Sequence, residues 1–101
     1  MLNGRDQDLL NWITETGIAA IVADNYAVEL YPALETEGPA STLPLHEHCL
    51  FRLGVPLGEL WYLTELARNL RDRGRTRFLL TAPPLRLPGA VGSPVTPVAT
   101  L

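Results

Sequence analysis

Leu45-His46-Glu47-His48-Cys49-Leu50-Phe51-Arg52-Leu53-Gly54-Val55-Pro56-Leu57-Gly58-Glu59-Leu60-Trp61 holds both histidines and the only cysteine of the chain. Its first part reads as a helix. His46, Cys49, Leu50 and Leu53 recur at i, i+3, i+4 and i+7, one face of a 3.6-residue period. Gly54 stands where a helix is closed by a left-handed glycine. At about 100° per residue, His48 points well away from that face and is expected at the surface. Beyond Pro56 the chain reads as extended, with Leu57, Glu59 and Trp61 alternating onto one side. A carboxylate between Leu57 and Trp61 is costly to bury unless it is paired, protonated or metal-bound. His46 and Glu59 therefore have a route to one site. From spacing alone, His46 reads first as a hydrogen-bonded core residue and second as a ligand, and Glu59 reads first as a strand-edge carboxylate in water. Thirteen residues is no general metal spacing, unlike a His-x-x-x-His helix pair.

Working outward toward the N-terminus, Glu35 to Pro44 carries Gly38, Pro39, Ser41, Thr42 and Pro44, which is loop chemistry. Ala27 to Tyr31 alternates weakly and reads as extended. Ile18 to Ala23 is a short apolar run between Gly17 and Asp24-Asn25, as in a buried parallel strand. Asp6 to Thr16 reads as a helix with the stripe Leu9, Leu10, Ile13, a cap at Asn3 or Asp6, and a stop at Gly17. Toward the C-terminus, Thr64 to Arg73 reads as a second helix, its buried face Leu63, Leu66, Ala67 and Leu70, ended by Gly74. Arg77 to Thr81 reads as a strand with Phe78-Leu79-Leu80 as its core. Pro83-Pro84 interrupts it, and Leu85 to Leu87 resumes extended. Val95 to Leu101 is a last strand, where Pro97 implies an edge or a bulge.

A chain of 101 residues makes one domain, 1–101, with a modest core. Hydrophobic residues at 47% and charged residues at 19% describe a soluble globular chain. Its apolar runs are too short to span a bilayer, so no membrane partner is expected. The start, Met1-Leu2-Asn3-Gly4-Arg5-Asp6, has no signal-peptide core, and one cysteine fits a reducing compartment, so a cytoplasmic location is expected. Cys49 reads as a small core residue rather than a nucleophile. The net charge of −3 gives no reason to expect nucleic acid. Arg68, Arg71, Arg73, Arg75 and Arg77 form a basic run that suits a solvated helix end. Gly89-Ala90-Val91-Gly92 opens no helix and is no phosphate loop. Ser93 lies in no Gly-x-Ser-x-Gly elbow and reads as a turn residue.

Three segments, in order, resemble the C-terminal part of one family. They are Asp24-Asn25-Tyr26-Ala27-Val28-Glu29 ahead of a proline, Leu45-His46 followed by Leu53 to Trp61, and Phe78-Leu79-Leu80-Thr81-Ala82-Pro83-Pro84-Leu85 leading to Gly89-Ala90-Val91-Gly92-Ser93-Pro94-Val95. The family is the cyclase family of metal-dependent hydrolases, which includes bacterial kynurenine formamidase. The resemblance covers nearly the whole chain. It implies an α/β fold, a partial swivelling β/β/α arrangement with helices packed on a mixed sheet. It also implies a divalent metal, Zn or Mn, that activates water to hydrolyse an amide-type bond in a small-molecule substrate, as in the arylformamidase step of tryptophan catabolism to kynurenine. A late His and a late Glu serve the metal in that family. His46 and Glu59 are the matching positions, with Glu59 also placed to shuttle protons as a catalytic group.

The family's N-terminal motif, His-x-Gly-Thr-His-x-Asp-x-Pro, has no counterpart here. Two ligands alone do not make a zinc site, which uses three or four. Tyr62 stands where relatives carry a helix-capping Asp, which shifts the expected cap to Thr64. The chain thus reads as a C-terminal fragment or truncated product, inactive alone, with faces that promote self-association or a homo-oligomer. Two rivals remain: a non-catalytic interaction or dimerisation module, and one half of an enzyme whose other half is a separate chain. The resemblance leads to a concrete expectation. The His46 ring and the Glu59 carboxylate should lie roughly 3–6 Å apart, given metal–ligand bonds near 2 Å.

Overall fold

A computed structural model describes all 101 residues, which form two compact units, Met1–Trp61 and Tyr62–Leu101. The first unit opens with α1 (Gln7–Thr16). The Asp6 side chain caps it, accepting from the N–H of Asp8 at 3.0 Å and of Leu9 at 3.2 Å. Gly17 ends the helix at φ +62°, a left-handed conformation that glycine adopts without penalty. Strand β1 (Ile21–Val22) follows, and pairs in parallel with β2 (Leu57–Gly58), Ile21 opposite Leu57 and Val22 opposite Gly58. The apolar run 18–23 therefore contains a parallel strand, as expected, but a short and half-covered one.

The segment Ala27–Tyr31 is not the extended piece that its alternation implies. Ala27 and Val28 lie at φ +65° and +58°, and only Glu29 pairs, in a single parallel bridge with Leu2. A β-branched residue in the left-handed region is strained by about 1–3 kcal/mol, so the surroundings must hold it there. Burial of Val28 in the core and hydrogen bonds on either side of Glu29 do so: Leu2 N–H donates to the Val28 carbonyl, and Leu30 N–H to the Leu2 carbonyl at 2.7 Å.

Helix α2 (Pro44–His46) runs directly into a π-helical segment, Glu47–Leu53, closed by Gly54 at φ +70°. This wider winding changes the expected stripe. Leu45 and Cys49 are fully buried, whereas Leu50 is 48% and Phe51 86% exposed, and Leu53 also faces solvent. The core of the unit is Ile13, Val28, Leu45, Cys49 and Val55, with Leu2, Leu9, Leu10, Ile18, Ile21, Ala23 and Leu57 packed against it.

In the second unit, α3 (Thr64–Asp72) begins from Leu63, which provides no side-chain cap. Thr64 is its first helical residue rather than the expected cap. Leu63, Leu66 and Leu70 are half-buried, while Ala67 is exposed. Strand β3 (Leu79–Thr81) pairs antiparallel with β4 (Val98–Thr100), and Pro84 bridges Val95. No residue of this unit is buried, so Phe78, Leu79 and Leu80 are not the core they were expected to form. The architecture is α/β, but the expected single mixed sheet is replaced by two separate two-stranded sheets, one parallel and one antiparallel. Each strand is only two or three residues long.

Asp6→Ala removes the α1 cap and should cost about 1 kcal/mol of stability. A lower urea midpoint at unchanged slope would register this, and an unchanged midpoint would mean the cap contributes nothing.

Candidate functional site

The first unit brings His46 and Glu59 together. His46 Nε2 lies 3.0 Å from Glu59 Oε1. His46 is the last residue of α2, and Glu59 directly follows β2. The parallel pairing fixes Glu59 from both sides: Ala23 N–H donates to the Gly58 carbonyl at 2.9 Å, and Trp61 N–H to the Ala23 carbonyl at 3.1 Å. Leu60 then turns out of the strand at φ +58°. The Trp61 ring folds back over Gly58, where a Cβ would come within 3.1 Å of it. The expected alternation thus holds from Leu57 to Glu59 and fails at Trp61.

A third residue completes the constellation. Glu29 is 0% exposed, the one buried charged side chain of the chain. Its Oε1 lies 2.8 Å from His46 Nδ1 and also accepts from the His46 backbone N–H at 3.0 Å. Its Oε2 accepts from the Leu45 N–H at 2.9 Å. These amides belong to the first turn of α2, where Pro44 has no N–H to offer and Leu43 supplies no side-chain cap. Glu29 is therefore a cap delivered from a distant part of the chain, on the end of the helix that favours negative charge. The buried carboxylate is fully satisfied, as its burial demands.

Gly4 makes room for this. A Cβ there would collide with Glu29 Oε2 and stand 2.7 Å from the Leu45 backbone nitrogen. Neither neighbour can yield without breaking the cap.

Glu29 is a site residue that no motif or spacing in the sequence marks as one. A weaker signal is present: one carboxylate in Ala27-Val28-Glu29-Leu30, to which the cost of burying a charge applies as it does to Glu59. His48 is half-buried rather than at the surface, and takes no part in the site. Its Nε2 lies 2.9 Å from Thr14 Oγ1, whose own hydrogen goes to the Leu10 carbonyl, so His48 donates.

The donor set fits a divalent cation at two positions. An imidazole nitrogen and a carboxylate oxygen about 3 Å apart suit neighbouring ligands with bonds near 2 Å. The Nδ1 side, held by a buried carboxylate, matches the outer support that metal-binding histidines receive. Glu29 is not placed as a third ligand, its oxygens being committed to the Leu45 and His46 donors.

No protein-family model and no curated protein matches the chain. Among solved structures, it is similar to one described as a novel cyclase, at 43% identity and a TM-score of 0.78 over 94% of this chain. The match spans 29% of that protein's chain, under a third of its length. At this identity the likeness is one of sequence as well as of fold. No helix is long and apolar enough to cross a membrane.

Cys49 lies in the same core. Burial pushes its thiol above the ordinary 9.0, and the negative charge of Glu29 adds to the shift. A raised acid binds its proton more tightly when folded, so its contribution is full below pH 9.0 and declines as the pH rises beyond that value. At neutral pH, a thiol reagent should label native Cys49 slowly and the urea-unfolded chain rapidly. Equal rates would contradict a buried thiol.

Proposed function

We propose that this chain carries part of a cyclase-family, metal-dependent hydrolase site, His46 and Glu59 being its two metal ligands. The observation that carries the reading is the 3.0 Å approach of His46 Nε2 to Glu59 Oε1, with the opposite ring nitrogen held by buried Glu29. A divalent cation such as Zn or Mn would there supply polarisation of a carbonyl and activation of water for cleavage of an amide-type bond. Glu59, about a third exposed, can reach a substrate and move a proton at its carboxylate as well as hold the ion. His46 is more enclosed and serves to hold and orient. Two ligands fall short of the three or four of a zinc site, so the remaining ligands come from outside residues 1–101. An arylformamidase-like activity on a small molecule, a swivelling β/β/α domain completed by further polypeptide, and a cytoplasmic setting are the finer parts of the same proposal.

A second reading, a non-catalytic interaction module derived from the same family, is favoured by one observation. Leu50, Phe51 and Leu53 lie exposed in one short helical stretch. Apolar surface of that kind is commonly covered by another polypeptide.

The purified chain, supplied with Zn or Mn, should show no appreciable turnover of N-formylkynurenine or simple esters. Metal-dependent turnover that disappears in His46→Ala would overturn the claim of inactivity and establish the site at once.

The chain should also self-associate, since the second unit has no buried residue and exposes Tyr62, Leu79, Leu85 and Val91. Light scattering should report a mass that rises with concentration. A constant monomer mass would count against association.

A further inference from the structure

We infer that Glu29 is the positioning residue of this site: it fixes the hydrogen of His46 on Nδ1 and thereby commits Nε2, the nitrogen beside Glu59, to the cation. The inference rests on the metal reading above for the cation, and on geometry alone for the ring. A carboxylate only accepts hydrogen bonds. With Glu29 Oε1 at 2.8 Å, Nδ1 must therefore carry the hydrogen. Nε2 faces the Glu59 carboxylate, and it is the nitrogen left for a cation to take in place of a hydrogen.

Three features make Glu29 a fixed reference rather than a mobile partner. Both its oxygens are bound by backbone amides that cannot rotate away, those of Leu45 and His46. Its own backbone is held by the flanking pairing of residues 28–30 with Leu2. Gly4 closes over it with no space for a side chain. The amides that bind Glu29 and the ring that Glu29 orients belong to the same turn of α2. One carboxylate thus sets the start of the helix and the rotation of the imidazole together. Supports of this kind are typically worth 10–100-fold in metal affinity.

The test uses the whole chain labelled with 15N at histidine. Long-range proton–nitrogen spectra of the metal-free protein report which ring nitrogen of His46 carries hydrogen. Zinc is then titrated in, and the resonance that moves is recorded. The expected result is a protonated Nδ1 before zinc and a shift confined to Nε2 on addition. Glu29→Gln keeps the shape but turns an NH2 toward one of the donors. It should mix the His46 tautomers and weaken zinc binding 10–100-fold. A bare Nδ1 in the wild-type protein, or zinc bound through Nδ1, overturns the inference whether or not the variant folds. A folded Glu29→Gln with unchanged tautomer and unchanged zinc affinity overturns it too. A protonated Nδ1 that becomes mixed in the variant, in a protein that takes up no zinc, supports the hold of Glu29 on the ring and sinks the metal reading instead.

Discussion

A single buried carboxylate, Glu29, accepts two helix-end amides and faces one imidazole nitrogen, and much of the first unit is arranged around those three contacts. An unpaired charge in that position would cost several kcal/mol, so the neighbours are not free to drift. Leu2 pairs with the strained turn that delivers Glu29, Gly4 leaves the space it occupies, and Pro44 starts a helix with no competing N–H. Leu45 and Cys49, on the inner face of the same helical stretch, then drop into the core against Ile13 and Val28. Packing and polar satisfaction require the same placement of the helix, and this is why His46 arrives at Glu59 with one particular edge of its ring.

The two units differ in how they are stabilised. The first has a contiguous core and a satisfied buried charge. The second has a helix and a hairpin whose apolar residues are at best half-covered. Burying apolar surface is the main favourable contribution to folding. The exposed apolar residues of the second unit contribute little of it. The chain spans under a third of the length of the structure described as a novel cyclase that it resembles.

The π-helical winding of Glu47–Leu53 shows how a local departure serves a site. Regular α-helical winding would turn Leu50 inward on the stripe with Cys49. The wider winding leaves Leu45 and Cys49 inside and turns Leu50 and Phe51 out. Such segments are frequent near functional sites. Here the segment begins immediately after His46, so the ring is set by α2 and Glu29 before the winding changes.

Local chemistry in the sequence determined where elements begin and end. Asp6 and Gly17 bracket α1, Gly54 closes the helical stretch, and Pro-rich segments mark the loops, because caps and breakers act within a few residues. The pairing of His46 with Glu59 was legible as an inward histidine and an inward carboxylate on consecutive elements. Only the tertiary structure decided which residue completes that pair. Glu29 lies 17 residues before His46, in a stretch whose alternation implies a strand, whereas its backbone is a left-handed turn. No periodicity encodes such a contact. It exists because a helix end with free amides, a glycine with no side chain and a buried carboxylate meet in space, and each is stable there only with the other two.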